Sequence, residues 1–181
     1  MDFRTIINIP VSDIQINHSS QMMLLGSCFS ENIGRKLQQS KFRVDVNPFS
    51  ILYNPFSIST AMQRLLSAKP FLEADLIFNN GLYHSLMHHG QFSAPDKEVC
   101  LRNISERFES AVLQIKRTNL FLITFGSAYV YQWKESGEIA GNCHKLPSRR
   151  FHRFRLSVEE ITGEWKKLIS MLTAMHPDIK L

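Results

Sequence analysis

Two nearly unbroken apolar runs limit what this chain can fold into. "QMMLLG", residues 21 to 26, and "LFLITFG", residues 120 to 126, put apolar side chains at successive positions instead of alternating ones. A strand of that kind needs cover on both faces, which is the situation inside a parallel α/β sheet. After the first run, Phe29, Ile33 and Leu37 recur every four residues, one stripe of a helix. Ser30 reads as the N-cap of that helix, with Glu31 in its first turn at the positive end of the dipole. "FRVDV", residues 42 to 46, alternates as a second strand. Strand, helix and strand thus follow in the order of a parallel βαβ unit.

The rest of the chain divides at its punctuation. Residues 1 to 20 read as an extended lead-in. Asn-Pro occurs twice, at 47–48 and 54–55, and each marks a turn or a helix start. With Asn54 as cap and Pro55 in the first turn, Ile58, Met62, Leu65 and Leu66 define a helix to about Ala68. Residues 71 to 95 read as irregular, within an insertion at about 70 to 100. Asn103 and Glu106 form a capping-box pattern, which predicts a helix from there to about Arg117. The 120–126 run reads as the strongest strand and the central one. Tyr129 to Trp133, a turn at Gly137 and "EIAGNCHKLP" form a hairpin-like excursion. Ser157 and Glu160 box the last helix, which Ile161, Trp165, Leu168 and Leu172 carry to about Met175. "DIKL" then reads as the beginning of another strand, so the sequence predicts a fold that is incomplete at its C-terminal end. The expected architecture is one domain over residues 1–181, a three-layer α/β/α sandwich around a parallel sheet.

Composition narrows the function classes. Among 181 residues, 44% are hydrophobic and 20% charged, ordinary for a globular domain. The net charge of +5 is moderate, and its one dense cluster is "RRFHRFR", Arg149 to Arg155. Phe151 and Phe154 alternate with the arginines there, the pattern of a half-buried segment with its charges in solvent; no nucleic-acid partner is expected. Cys28, Cys100 and Cys143 have no C-x-x-C spacing, so neither a zinc ribbon nor a disulfide framework is indicated. Reduced thiols, no secretory signal and no run of membrane-spanning length point to a cytoplasmic protein without a membrane partner.

A strand that ends in glycine and feeds a helix delivers the next residues to the carboxyl edge of the sheet, where open α/β sheets bind ligands. Helix N-terminal N–H groups stabilise anions there, and a thiol so placed is expected to ionise more readily than a free one. Cys28 is therefore a candidate nucleophile. The competing reading is a small core residue packed under the helix, since free cysteine is among the most buried residue types.

"GSCFSENIG", "NPFSILYNP", "YHSLMHHGQFS", "TFGSAYVY" and "GNCHKLP" occur in the order seen in the GSCFA-domain family, and the resemblance runs from about residue 4 to 181. That family is grouped with the SGNH/GDSL-like hydrolases, which implies a flavodoxin-like fold and an esterase or acyltransferase chemistry. SGNH enzymes carry Gly-Asp-Ser after an apolar strand. Laid on this chain, Gly26 matches the glycine, Ser27 stands where Asp does, and Cys28 stands at the nucleophile. The resemblance thus implies Cys28 as nucleophile, with Ser27 second. It places oxyanion or pocket groups at Gly26, Ser50, Asn54, Gly126 and Ser127. Ser50 departs from the family's Asn-Pro-Phe-Gly, and a positive φ required there would be strained. Gly126-Ser127-Ala128-Tyr129 stands at the Gly-x-Asn-Asp block and lacks the Asn side-chain donor. No Asp-x-x-His occurs in the late position where SGNH enzymes draw their base.

His84, His88 and His89 lie in "YHSLMHHG", with His84 and His88 on one face if the segment is helical. Together with Asn142, Cys143, His144 and Lys145 they have three readings: hydrogen-bonded structural groups, pocket residues, or metal ligands. Metal is the weakest, because no second ligand pair has a zinc spacing. The expected function is an SGNH-like hydrolase or acyltransferase acting on a small-molecule or glycan-linked acyl group, without cofactor or metal. Its rival is a non-catalytic binding module with the same pocket.

Overall fold

Met22 and Leu24 point to one face of strand β1 (Gln21–Gly26) and Met23 and Leu25 to the other, and all four are buried. That double burial is what the continuous apolar run requires. In the computed structural model, which describes residues 7–8 and 10–181, β1 is the middle of a three-stranded parallel sheet. On one side it pairs with β2 (Arg43–Val46), on the other with a strand formed by Leu120–Thr124. The expected lead-in at residues 1 to 20 lies partly outside the described residues.

Helix α1 (Cys28–Gln39) connects β1 to β2 and lays Ile33 and Leu37 on the face formed by Met22, Leu24 and Leu120. Gly34 lets it come close: a Cβ there would meet a Val46 methyl at 2.4 Å. The opposite face is covered by α2 (Pro55–Ser67), α3 (Lys97–Ile115) and α4 (Val158–Met175), which bury Ile58, Met62, Ile104, Phe108, Leu168 and Leu172 with Met23 and Phe121. The result is the expected mixed α/β arrangement, a parallel sheet with helices on both faces.

Between α2 and α3, the hairpin β3 (Leu76–Asn79) and β4 (Leu82–Ser85) turns on Asn80 and Gly81, both at positive φ. Residues 71 to 95 are thus more ordered than expected. Strand β5 is the Leu120–Thr124 strand. It is followed by an antiparallel sheet of β6 (Tyr129–Trp133), β7 (Ile139–Ala140) and β8 (Phe151–Arg155). Phe151 is buried, and Arg149, Arg153 and Arg155 are exposed.

Three boundaries and one strand position differ from expectation. The N-cap of α1 is Ser27, not Ser30, because the helix begins three residues earlier and turns Ser30 toward the sheet. α3 starts at Lys97 with Asp96 as cap, its carboxylate accepting the Val99 N–H at 2.9 Å, so Asn103 lies inside the helix. β5 ends at Thr124, two residues early, and lies beside β1 instead of at the centre. On its far side Leu120 makes a single parallel bridge to Lys180, within "DIKL". No helix among the described residues is long and apolar enough to cross a membrane.

Candidate functional site

β2 lies on one side of β1 and β5 on the other, so the connections leaving the carboxyl ends of β1 and β5 diverge. Such a switch point opens a crevice at the sheet edge. Ser27 and Cys28 leave β1 there, next to Thr124 at the end of β5.

Gly26 makes the turn possible. Its φ is +135°, and a Cβ would lie 2.2 Å from the Thr124 carbonyl oxygen. No side chain fits that approach. Asn47, from the first Asn-Pro, ties the edge together: its Oδ1 accepts the Gly26 N–H at 2.9 Å and its Nδ2 donates to Glu31 Oε2 at 3.0 Å. Its own N–H donates to Leu24 O at 2.8 Å.

Thr124 is the second organiser. Its Oγ1 accepts the Ser27 N–H at 3.1 Å and lies 3.1 Å from Ser27 Oγ and 2.8 Å from Ser30 Oγ. Ser30 Oγ donates to Leu25 O at 3.2 Å. That fixes one consistent direction for the protons: Ser27 donates to Thr124, Thr124 to Ser30, and Ser30 to the carbonyl. Ser27 Oγ also accepts the Phe29 N–H at 3.3 Å as the helix cap. Its hydroxyl is committed twice, and the chain of hydroxyls ends on an oxygen that cannot take a proton.

Cys28 is exposed, at the first position of α1, and its thiol makes no hydrogen bond to a described residue. The reading of Cys28 as a packed core residue does not hold, because its side chain faces solvent. Of the other thiols, Cys100 is buried, donates to Tyr83 O at 3.3 Å, and has its pKa raised by burial. Burial pushes the Cys143 thiol up to about 11.

The expected oxyanion groups are arranged differently. Gly126 and Ser127 both donate their N–H to Tyr53 O, at 2.8 and 3.0 Å. Ser50 has φ +66°, the left-handed conformation a glycine takes without strain, and its N–H donates to Asn47 O at 2.7 Å. Asn54 caps α2, its Oδ1 accepting the Ser57 N–H at 2.7 Å. The Gly26 N–H is held by Asn47. These groups surround the edge, but their donors are satisfied within the protein. Beyond them a cleft of about 380 Å³ is lined by Tyr53, Ser127, Tyr129, Asn142 and Arg153. The Arg153 guanidinium lies 3.9 Å from the Tyr129 ring centre.

The histidines gather elsewhere. His84 is on β4 and His88 in the turn after it, so the helical face assumed for them does not exist. His88 is 1% exposed and stacks on Phe49, with ring centres 4.9 Å apart. Its Nδ1 lies 3.0 Å from Ser85 Oγ. Burial, with the nearby charges of Arg64 and His144, lowers its pKa to about 3. His88 is a neutral core histidine. His84 and His144 stack with ring centres 4.3 Å apart. They line a second cavity with Asn142 and Lys145, and Asn142 also borders the first. None of these side chains hydrogen-bonds to Ser27 or Cys28 among the described residues. No three His, Cys, Asp or Glu side chains among those residues converge to hold a metal ion.

Sequence reasoning missed Asn47 and Thr124. The Asn-Pro pair signalled only a turn, and Thr124 was one more residue of an apolar strand.

No curated protein and no solved structure matches this chain. The family model described as GSCFA family matches residues 21–181, from the first residue of β1 through all the helices and strands assigned above. With the glycine-thiol corner at the head of that matched region, the chain belongs to the GSCFA family.

Proposed function

We propose that the β1–α1 corner is the reaction centre of an SGNH-type acyl-ester hydrolase or acyltransferase, with Cys28 as nucleophile. The observation that carries this reading is the placement of an exposed thiol, without a hydrogen bond among the described residues, at the first position of a helix on the carboxyl edge of the middle strand. Its sulfur forms a bond to the acyl carbonyl carbon, the ester C–O bond breaks, and the alcohol leaves with the proton the thiol gave up. Water or a second alcohol then resolves the thioester. First-turn N–H groups of α1 that the Ser27 cap does not engage, which no helix can bond internally, face the developing oxyanion. Ser27 serves as cap and positions the helix start.

One observation favours a binding module instead. The N–H groups of Gly126, Ser127 and Ser50 are engaged by Tyr53 and Asn47, and no histidine hydrogen-bonds to Cys28 among the described residues. A thiol nucleophile needs a base within reach.

The two readings part on a panel of short-chain acyl esters assayed with wild type, Cys28→Ala and Ser27→Ala. The enzyme reading expects turnover that Cys28→Ala abolishes and Ser27→Ala reduces through a loosened helix start. Absent turnover, or turnover indifferent to Cys28→Ala, removes Cys28 as nucleophile and leaves the binding module.

A further inference from the structure

The second cavity, about 400 Å³, sits between the β3–β4 hairpin and the loop that follows β7. His84 and His144 form its floor and are only 7% and 9% exposed. Both rings are held in fixed orientations. His84 Nε2 lies 3.1 Å from Asn79 O, which can only accept, so this nitrogen carries the hydrogen. The other nitrogen, 2.6 Å from Ser93 Oγ, therefore accepts the serine proton. His144 Nε2 likewise donates to Ser85 O at 2.8 Å.

Above the floor, Asn142 Oδ1 accepts the His144 N–H at 2.8 Å, which leaves the amide NH₂ of Asn142 as a donor at the wall shared with the first cleft. His89 and Lys145, both exposed, stand at the mouth. No carboxylate among the described residues lines this cavity. The backbone is held in an uncommon conformation to make it: His144 and Lys145, two consecutive non-glycine residues, have φ of +47° and +56°. L-residues take that region singly, and persistent departures concentrate where a ligand is gripped. Here the two left-handed residues stack one imidazole on its neighbour and put one ammonium at the rim. The Asn79 Nδ2 donates to His144 O at 3.1 Å and locks the arrangement.

We propose that this cavity is a binding site for a small oxyanion or an oxyanion-bearing metabolite, held by Lys145, His89 and the Asn142 amide over the His84–His144 stack. The donor set is that of a phosphate site: a point-charge ammonium, neutral donors and no competing acid. This assignment is independent of the chemistry at Cys28.

The test follows the histidine ring signals by NMR at pH 7 and constant ionic strength, with sodium chloride as the balancing salt. Inorganic phosphate, glycerol phosphate and acetate are titrated separately into wild type, Lys145→Gln, His89→Gln and, as a remote control, Lys36→Gln. The site predicts saturable shifts of His84, His89 and His144 with phosphate, unchanged in Lys36→Gln. Lys145→Gln weakens the binding about tenfold or more, the size expected for a lost charged hydrogen bond. His89→Gln weakens it less and guards against misfolding at the strained position. Tighter binding of glycerol phosphate assigns the site to an esterified phosphate, and equal saturation by acetate assigns it to carboxylates. Shifts that do not saturate, that chloride reproduces, or that Lys145→Gln and His89→Gln both leave unchanged overturn the proposal.

Discussion

Thr124 carries one hydroxyl and serves three groups with it: the Ser27 N–H, Ser27 Oγ and Ser30 Oγ. Thr124→Val keeps the shape and the β-branched stiffness of the side chain but removes all three contacts. Ser30, 2% exposed, then loses the partner that gives it a proton. Urea unfolding of this variant is expected to show a loss of about 1–3 kcal/mol, the usual cost of leaving buried polar groups unsatisfied. A loss within about 0.5 kcal/mol, the noise of ordinary surface changes, would mean the hydroxyl chain is not a structural tie. This pair of serines also marks a limit of the sequence at this scale. Ser27 and Ser30 are both credible caps, and both hydroxyls meet Thr124, 97 and 94 positions away; the cap is Ser27 because the chain enters the helix directly after the Gly26 turn, at Cys28. The candidate thiol was easier, because the corner that exposes Cys28 follows from the local order of apolar run, glycine and helix.

At the scale of elements, helix starts and stops were legible where the cap and the apolar stripe agree. The Asn54 cap of α2 and the Ser157–Glu160 box of α4 are both present as read. α3 shows how the rule fails. Asn103 and Glu106 satisfy the spacing of a capping box, yet the helix already running before them leaves no free N–H for Asn103 to cap. The true cap, Asp96, precedes Lys97 and Glu98, two charged residues that gave no apolar signal. Asp96→Ala should therefore cost about 1 kcal/mol in chemical unfolding, as caps usually do. Asn103→Ala should be neutral or stabilising by roughly a few tenths of a kcal/mol, since alanine is the better residue in a helix interior. The reverse order would restore the helix start at residue 103. The β3–β4 hairpin was legible and went unread: Asn80-Gly81 between Ile77, Phe78 and Leu82, Tyr83 is a two-residue turn signal.

For the whole molecule, the α/β class followed from two apolar runs, because only a sheet covered on both faces can bury them. The separation of the histidines from the thiol did not follow. Their positions depend on how the hairpin folds over α3 and on the left-handed turn at His144, and neither has a local signal. The core histidine has a global consequence. The pKa of His88 falls from 6.5 to about 3 on folding, so between those values the unfolded chain takes up a proton that the folded chain refuses. Its contribution is full above about pH 6.5 and is lost as the pH falls toward 3. His144, also lowered by burial, acts with the same sign. Urea midpoints compared at about pH 7, 5.5 and 4.5 should reveal a fall in stability on the order of a few kcal/mol, because refusing one proton costs about 1.4 kcal/mol for every pH unit below the unfolded value. His88→Gln, which keeps a partner for Ser85, should flatten that decline. Parallel declines in wild type and variant would show that the proton is taken up elsewhere.

The corner where β1 and β5 meet also sets a timetable for synthesis. Ser27 and Thr124 are 97 residues apart. A ribosome adding about 5–20 residues per second leaves roughly 5–20 s between the appearance of β1 and the arrival of the strand that completes its pairing. During that interval "MMLL" can be sheltered by α1 and β2 on one face only. The nascent chain spends those seconds with an adhesive strand edge, so its yield in the cell should depend on holdase chaperones more steeply than the finished fold's stability suggests.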